Sequence, residues 1–168
     1  MALLESRTDG PAIVPDRYQR VEEGAAIPAE GAVLVSLARF LAEHDALLAR
    51  TAPLGVWLAS KETPASLAPF LDRIALVALD FPVFSDGRAF SSARLLRERY
   101  GYKGQLRAIG DVLCEQLPFM LRSGFDTFEM KSPRALEEFR AVVGEVRVVY
   151  QPTGDGRPTA IDRRLGRR

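Results

Sequence analysis

Ile74-Ala75-Leu76-Val77-Ala78-Leu79-Asp80-Phe81 (IALVALDF) is apolar at every position except Asp80. A strand with one face in water alternates apolar and polar residues, whereas a strand covered on both faces leaves no position for water. The run is short and is bounded by Asp72-Arg73 and Pro82, which favours a strand over a helix. It is expected at the centre of a parallel sheet.

The same kind of punctuation recurs on either side. Leu54–Ala59 (LGVWLA) is a second short apolar run. Thr63 or Ser66 can cap a helix through about Leu71, with Pro64 in the first turn, where its missing N–H is not needed. Beyond the central run, Arg88–Tyr100 reads as a helix stopped by Gly101, and Gln105–Ile109 as a strand. Gly110-Asp111 opens a helix that Gly124 ends, with a kink expected at Pro118. Phe125–Met130 is a fourth strand, Ser132-Pro133 starts a helix to about Val143, and Val146–Tyr150 is a fifth strand. Upstream, Leu34, Leu37, Phe40, Leu41, Leu47 and Leu48 return at helical spacing, so Val33–Arg50 reads as a helix. Strand alternating with helix implies right-handed crossovers. The expected fold is α/β: a mainly parallel sheet of about five strands with helices on its faces, either an open three-layer sheet or a half barrel. Residues 1–31 form an N-terminal arm in which Ile13-Val14 and Tyr18 hint at an edge strand. Residues 32–150 form the domain, and residues 151–168 a mobile, Arg-rich tail.

Composition narrows the function classes. The chain has 168 residues, of which 47% are hydrophobic and 27% charged, a globular balance for one domain. The formal charge of +1 gives no field to recruit nucleic acid or a membrane surface. No apolar run approaches the roughly 20 residues of a membrane span. The start, MALLESRTDG, lacks the apolar core of a signal peptide, so the cytoplasm is expected. Cys114 is the only cysteine, which rules out an intrachain disulfide and a cysteine-built metal cluster.

In a parallel sheet the carboxyl ends of the strands share one side, and ligands bind in the loops there. Those ends bring together Ser60-Lys61, Asp80, the loop Phe81–Arg88, Arg107, Gly110-Asp111 and Glu129. Asp86, Gly87 and Arg88 precede a helix carrying Ser91 and Arg94. Helix-start N–H groups, a glycine, hydroxyls and guanidinium donors suit a small oxyanion. The alternative is structural: Asp86 or Ser85 caps the helix, and the arginines pair with Asp80, Asp86 or Glu98. Arg107 lies within an apolar strand, where a charge has to be paired or face a ligand. Asp80 or Asp111 is its expected partner. The candidate ligand set is Asp86, Gly87, Arg88, Ser91, Arg94, Arg107, Gly110 and Asp111, with Asp80 and Asp111 as candidate acid or base.

Other residues read as structural. His44 falls on the polar side of its helix, and Cys114, without a histidine nearby in sequence, reads as packing. The dinucleotide, P-loop, zinc-protease, redox C-x-x-C and nucleophile-elbow signatures are absent, so no bound cofactor or metal is expected.

The stretch Phe81–Leu113 (FPVFSDGRAFSSARLLRERYGYKGQLRAIGDVL), followed by Arg122–Glu129 (RSGFDTFE), resembles a bacterial family, domain of unknown function 934. The likeness is close over Ile74–Phe128 and looser from Gly31 to about Tyr150. Family positions fall on Phe84, Asp86, Gly87, Arg88, Ser91, Arg94, Arg97, Arg107, Gly110 and Asp111, among others. In the family Gly-Tyr commonly stands at Ala89-Phe90, and cysteine commonly at Ser123. The family is labelled an oxidoreductase of sulfite reduction, because its genes lie beside those of sulfite reductase. The resemblance thus implies an accessory or binding protein of assimilatory sulfite reduction, partnered with sulfite reductase or another sulfur-assimilation enzyme and with a small oxyanion. Two alternatives stay open. One is a small enzyme acting on an oxyanion-bearing metabolite, with Arg88 and Arg107 as clamp and Asp80 or Asp111 as acid or base. The other is a structural partner subunit.

Overall fold

The computed structural model describes residues 2–145, 149–150, 152–153 and 157–166. Its chain alternates short strands and helices around one mixed sheet of eight strands, ordered β2-β1-β8-β7-β6-β5-β4-β3. The strands are β1 (Ala2–Glu5), β2 (Ala12–Val14), β3 (Tyr18–Arg20), β4 (Ala32–Ser36), β5 (Leu54–Leu58), β6 (Leu76–Phe81), β7 (Gln105–Gly110) and β8 (Thr127–Met130). The run that decides the fold is β6, paired in parallel with β5 and β7. Ladders β3–β4, β4–β5 and β7–β8 are also parallel. The pairs β1–β8 and β1–β2 are antiparallel. No described helix is long and apolar enough to cross a membrane.

Eight strands stand where about five were expected, and the difference lies mostly in the arm. Residues 2–20 supply three strands of three or four residues, where Ile13-Val14 and Tyr18 hinted at a single edge strand. Their stability comes from pairing at both edges of the sheet, not from their own pattern. The helix expected from Val33 begins as strand: Val33, Leu34 and Val35 belong to β4, and α1 spans Leu37–Leu48. A fully buried strand and a buried helix segment carry the same apolar run. The boundary is set by Ser36, whose Oγ accepts the Arg39 N–H at 3.1 Å as the helix cap. Pro118 causes no kink, since α3 starts at Leu117 and ends at Arg122, with the proline in its first turn. A 3-10 turn over Cys114–Gln116 precedes it. The expected strand Val146–Tyr150 lies largely outside the described residues; Val149 bridges Thr159, which caps α5 (Ala160–Arg164).

Helices α1 to α4 pack on one face. Leu37 and Phe40 of α1, Ala89 and Ala93 of α2 (Arg88–Arg94), Met120 of α3, and Phe139 of α4 (Ala135–Glu145) share one core with Val33, Val56, Val77, Leu106 and Phe128. The opposite face carries a separate, small cluster of Leu34, Leu76, Ala78 and Ile109 beside Tyr18 and Trp57. The sheet is therefore a half barrel with helices outside, not a three-layer sandwich. Chain connectivity shows why it curls. A flat eight-stranded sheet would hold its two edges roughly 34 Å apart. Yet edge strands β2 and β3 are joined by only Pro15-Asp16-Arg17, a link that reaches at most about 14 Å between Val14 and Tyr18. The edges have to approach, and the three-residue strap crosses the mouth of the concave face.

Candidate functional site

Alternation on β7 decides where its charge goes. Leu106 and Ala108 point to the helix layer, so Arg107 points into the concave face. Its side chain is 1% exposed. Nη1 donates to Asp16 Oδ2 of the strap at 2.8 Å, and Glu129 Oε1 of β8 lies 3.6 Å away. The guanidinium stands 5.5 Å from the centroid of the Tyr18 ring, within cation–π range. Its Nε–H is buried and has no acceptor. The expected partners of Arg107, Asp80 or Asp111, are thus replaced by Asp16 and Glu129. Burial pushes the Glu129 carboxyl up, against the pull of Arg107. Along the same face the Arg20 guanidinium stacks 4.7 Å over Trp57. Asp80 is also pushed up by burial, with Arg20 opposing and Asp86 adding to the shift.

The carboxyl ends of β5, β6 and β7 build a second cluster, at the rim. Gly110 has φ +91°, and a Cβ there would meet the Phe81 carbonyl oxygen at 2.4 Å. That close approach lets the Asp111 N–H donate to the same carbonyl at 2.7 Å. Asp111 then accepts from the Phe84 N–H at 3.2 Å and from Lys131 Nζ at 3.1 Å. Gln116 Nε2 donates to the Phe84 carbonyl at 2.8 Å. On the neighbouring loop, Arg88 donates Nε and Nη2 to the two oxygens of Asp86 at 2.9 and 2.6 Å, and Nη2 to Ser60 Oγ at 3.0 Å. These hydrogen bonds hold the Asp86 carboxyl far below the usual carboxylate range. Arg88 and Lys131 keep 61% and 63% of their side chains exposed. Between them the loop presents Val83 and Phe84, both exposed.

The expected ligand set therefore separates into three places. Asp86, Gly87, Arg88, Gly110 and Asp111 lie together at the rim. Arg107 lies inside the concave face with partners of its own. Ser91 and Arg94 lie on the outward side of α2, where Arg94 pairs with Glu98 at 3.0 Å. Asp16, Tyr18 and Lys131 are the site residues that local sequence does not announce, since each gains its place through a distant strand pair. The one available signal was Arg107 itself, a charge in an apolar strand that had to have a carboxylate somewhere. Cys114 is pushed up by burial and by the adjacent Glu115, which disfavours the reactive thiolate. On α1, His44 packs 5.3 Å from the Phe70 ring and takes no part in either cluster.

No curated protein matches the chain. The model of a family described as a bacterial protein of unknown function (DUF934) matches residues 55–161, from the start of β5 into α5 and including both Arg88 and Arg107. The match spans well over half of the 168 residues, and the chain belongs to that family.

Proposed function

We propose that this protein is an accessory binding protein of assimilatory sulfite reduction, docking on sulfite reductase through the rim and holding a small oxyanion at Arg88. The observation that carries the docking surface is the pair Val83 and Phe84, 52% and 59% exposed. Exposed apolar side chains on a slack loop mean little. Here the Phe84 N–H and carbonyl are both tied down, by Asp111 and Gln116, so the apolar pair is presented in a fixed pose. An apolar centre flanked by Arg88 and Lys131 has the make-up of a protein-binding patch. The same arginine, preorganised by Asp86 and Ser60, supplies guanidinium donors at the edge of that patch. The link to sulfite reduction comes from the family resemblance.

Calorimetric titration against purified sulfite reductase tests the reading. Binding is expected to weaken roughly tenfold or more in Phe84→Asp, because a central apolar anchor becomes a buried charge. A deletion strain is expected to grow poorly on sulfate and normally on cysteine. Plasmid-borne Asp80→Asn is expected to restore growth, and Phe84→Asp not to. Equal affinity of Phe84→Asp and the parent would reject the docking surface. A second reading, a small enzyme on an oxyanion-bearing metabolite, is favoured by the raised Asp80 carboxyl. Failure of a well-folded Asp80→Asn to restore growth would support it.

A further inference from the structure

Away from the rim, at the amino ends of the parallel strands, the strap roofs a cavity of about 310 Å³. That is the low end of the size range of small-molecule sites. Its walls include three arginines, Arg7, Arg17 and Arg107, against one carboxylate, Glu5. Gln105 adds an amide, and Val14 and Pro53 are among its apolar walls. Arg7 is held by Glu5. Arg17 is exposed and makes no hydrogen bond or ion pair with the described residues.

Arg107 distinguishes this cavity from a surface dent. A guanidinium that is 1% exposed has already lost its water, so its unmet Nε–H is a standing penalty. Asp16 meets it through one oxygen only, at Nη1. That carboxylate sits on an exposed three-residue strap, is itself 41% exposed and accepts the Tyr18 N–H through its other oxygen at 3.0 Å, so on leaving Arg107 it keeps a partner and gains water. Asp16 shows that the site accepts an anionic oxygen; a free ligand with two or more oxygens can also reach the Nε–H that Asp16 leaves unmet.

We infer that the cavity beneath the strap binds a small organic oxyanion, whose head replaces Asp16 on Arg107 and whose body lies against Val14 and Pro53. The site is independent of the rim and of the reading drawn from it. Arg17 supplies the second positive charge at the mouth. The strap then has two states, latched by Asp16 in the empty site and released when ligand is bound, with Asp16 and ligand competing for one guanidinium.

Amide chemical shifts of the full chain, titrated with sodium benzoate and separately with phenyl phosphate, test this, with benzamide and sodium chloride as controls. At least one of the two anions is expected to give saturable shifts at Asp16, Arg17, Tyr18 and Arg107, and benzamide none. Asp16→Asn removes the internal competitor and leaves Glu129 beside Arg107, so binding is expected to tighten roughly fivefold or more. Arg17→Ala, an exposed change that leaves the fold intact, is expected to weaken it by a similar factor. Arg88→Ala is expected to change nothing here. No saturable shift with either anion, or one whose affinity ignores both Asp16→Asn and Arg17→Ala, overturns the inference. Shifts confined to Ser60 and Asp86, with none at Arg107, that vanish in Arg88→Ala would also overturn it, while leaving the rim reading intact.

Discussion

Arg97 holds together a corner of the fold where three segments end. It donates Nε to the Gly124 carbonyl at 2.9 Å, Nη1 to the Tyr102 and Gly104 carbonyls at 2.7 and 2.9 Å, and Nη2 to Asp126 at 2.8 Å. Asp126 also accepts the Leu106 N–H at 3.0 Å. Burial pushes the Asp126 carboxyl up to about 6, although Arg97 and the Leu106 N–H pull it down. Between its ordinary value of 3.8 and about 6, the folded chain holds a proton that the unfolded chain has released. Stability from this group is therefore fully present below pH 4 and lost as pH rises through 6. Thermal melts at pH 4, 5, 6 and 7 should show the parent losing ground relative to Asp126→Asn across that window. Parallel curves for the two proteins would refute the assignment. At this scale sequence is a partial guide. Arg107 announced that a carboxylate was needed, but not that Asp16, 91 positions away, would provide it, because hydrophobic pattern carries no information about which charges meet.

Elements are where the chain's own pattern speaks most clearly. The strands β5 and β6 fall where short apolar runs lie between turn residues, since a strand buried on both faces is apolar almost throughout, and β7 follows the same punctuation with Arg107 as its one buried charge. Where pattern is shared between element types, packing decides. Val33–Val35 became strand because β5 was there to pair with it. The expected helix Arg88–Tyr100 is α-helical to Arg94, and over Leu95–Arg99 it widens to a π-helix. Gly110 joins β7 to the rim, and only a residue without Cβ fits its φ of +91° against the Phe81 carbonyl. Gly110→Ala is expected to destabilise by about 2–3 kcal/mol from backbone strain and the forced shift of β6. In a chain this long that lowers Tm by roughly 5–10 °C. Calorimetry checks it, and a Tm within a degree or so of the parent would mean that the turn relaxes freely.

The whole molecule depends on its first 20 residues more than their composition suggests. Leu4 of β1 is fully buried, and β1 covers the edge of β8 while β3 covers the edge of β4. Deleting residues 1–20 bares two strand edges and opens the core beneath Leu4. The truncated chain is expected to aggregate, or to bind a hydrophobic dye with loss of near-ultraviolet dichroism. A monomeric truncated chain with an unchanged Tm would show that the half barrel stands without its arm. By itself the sequence determined the α/β class, the buried central strand β6 and the polar carboxyl-end rim, because burial and turn chemistry are local properties of each segment. Tertiary structure alone decided the curl of the sheet, the placing of α1 to α4 on one side, and the separation of Arg107 from Arg88. Those follow from a strap of three residues joining opposite edges of an eight-stranded sheet, a constraint of chain length against strand spacing that appears only once the strands are paired.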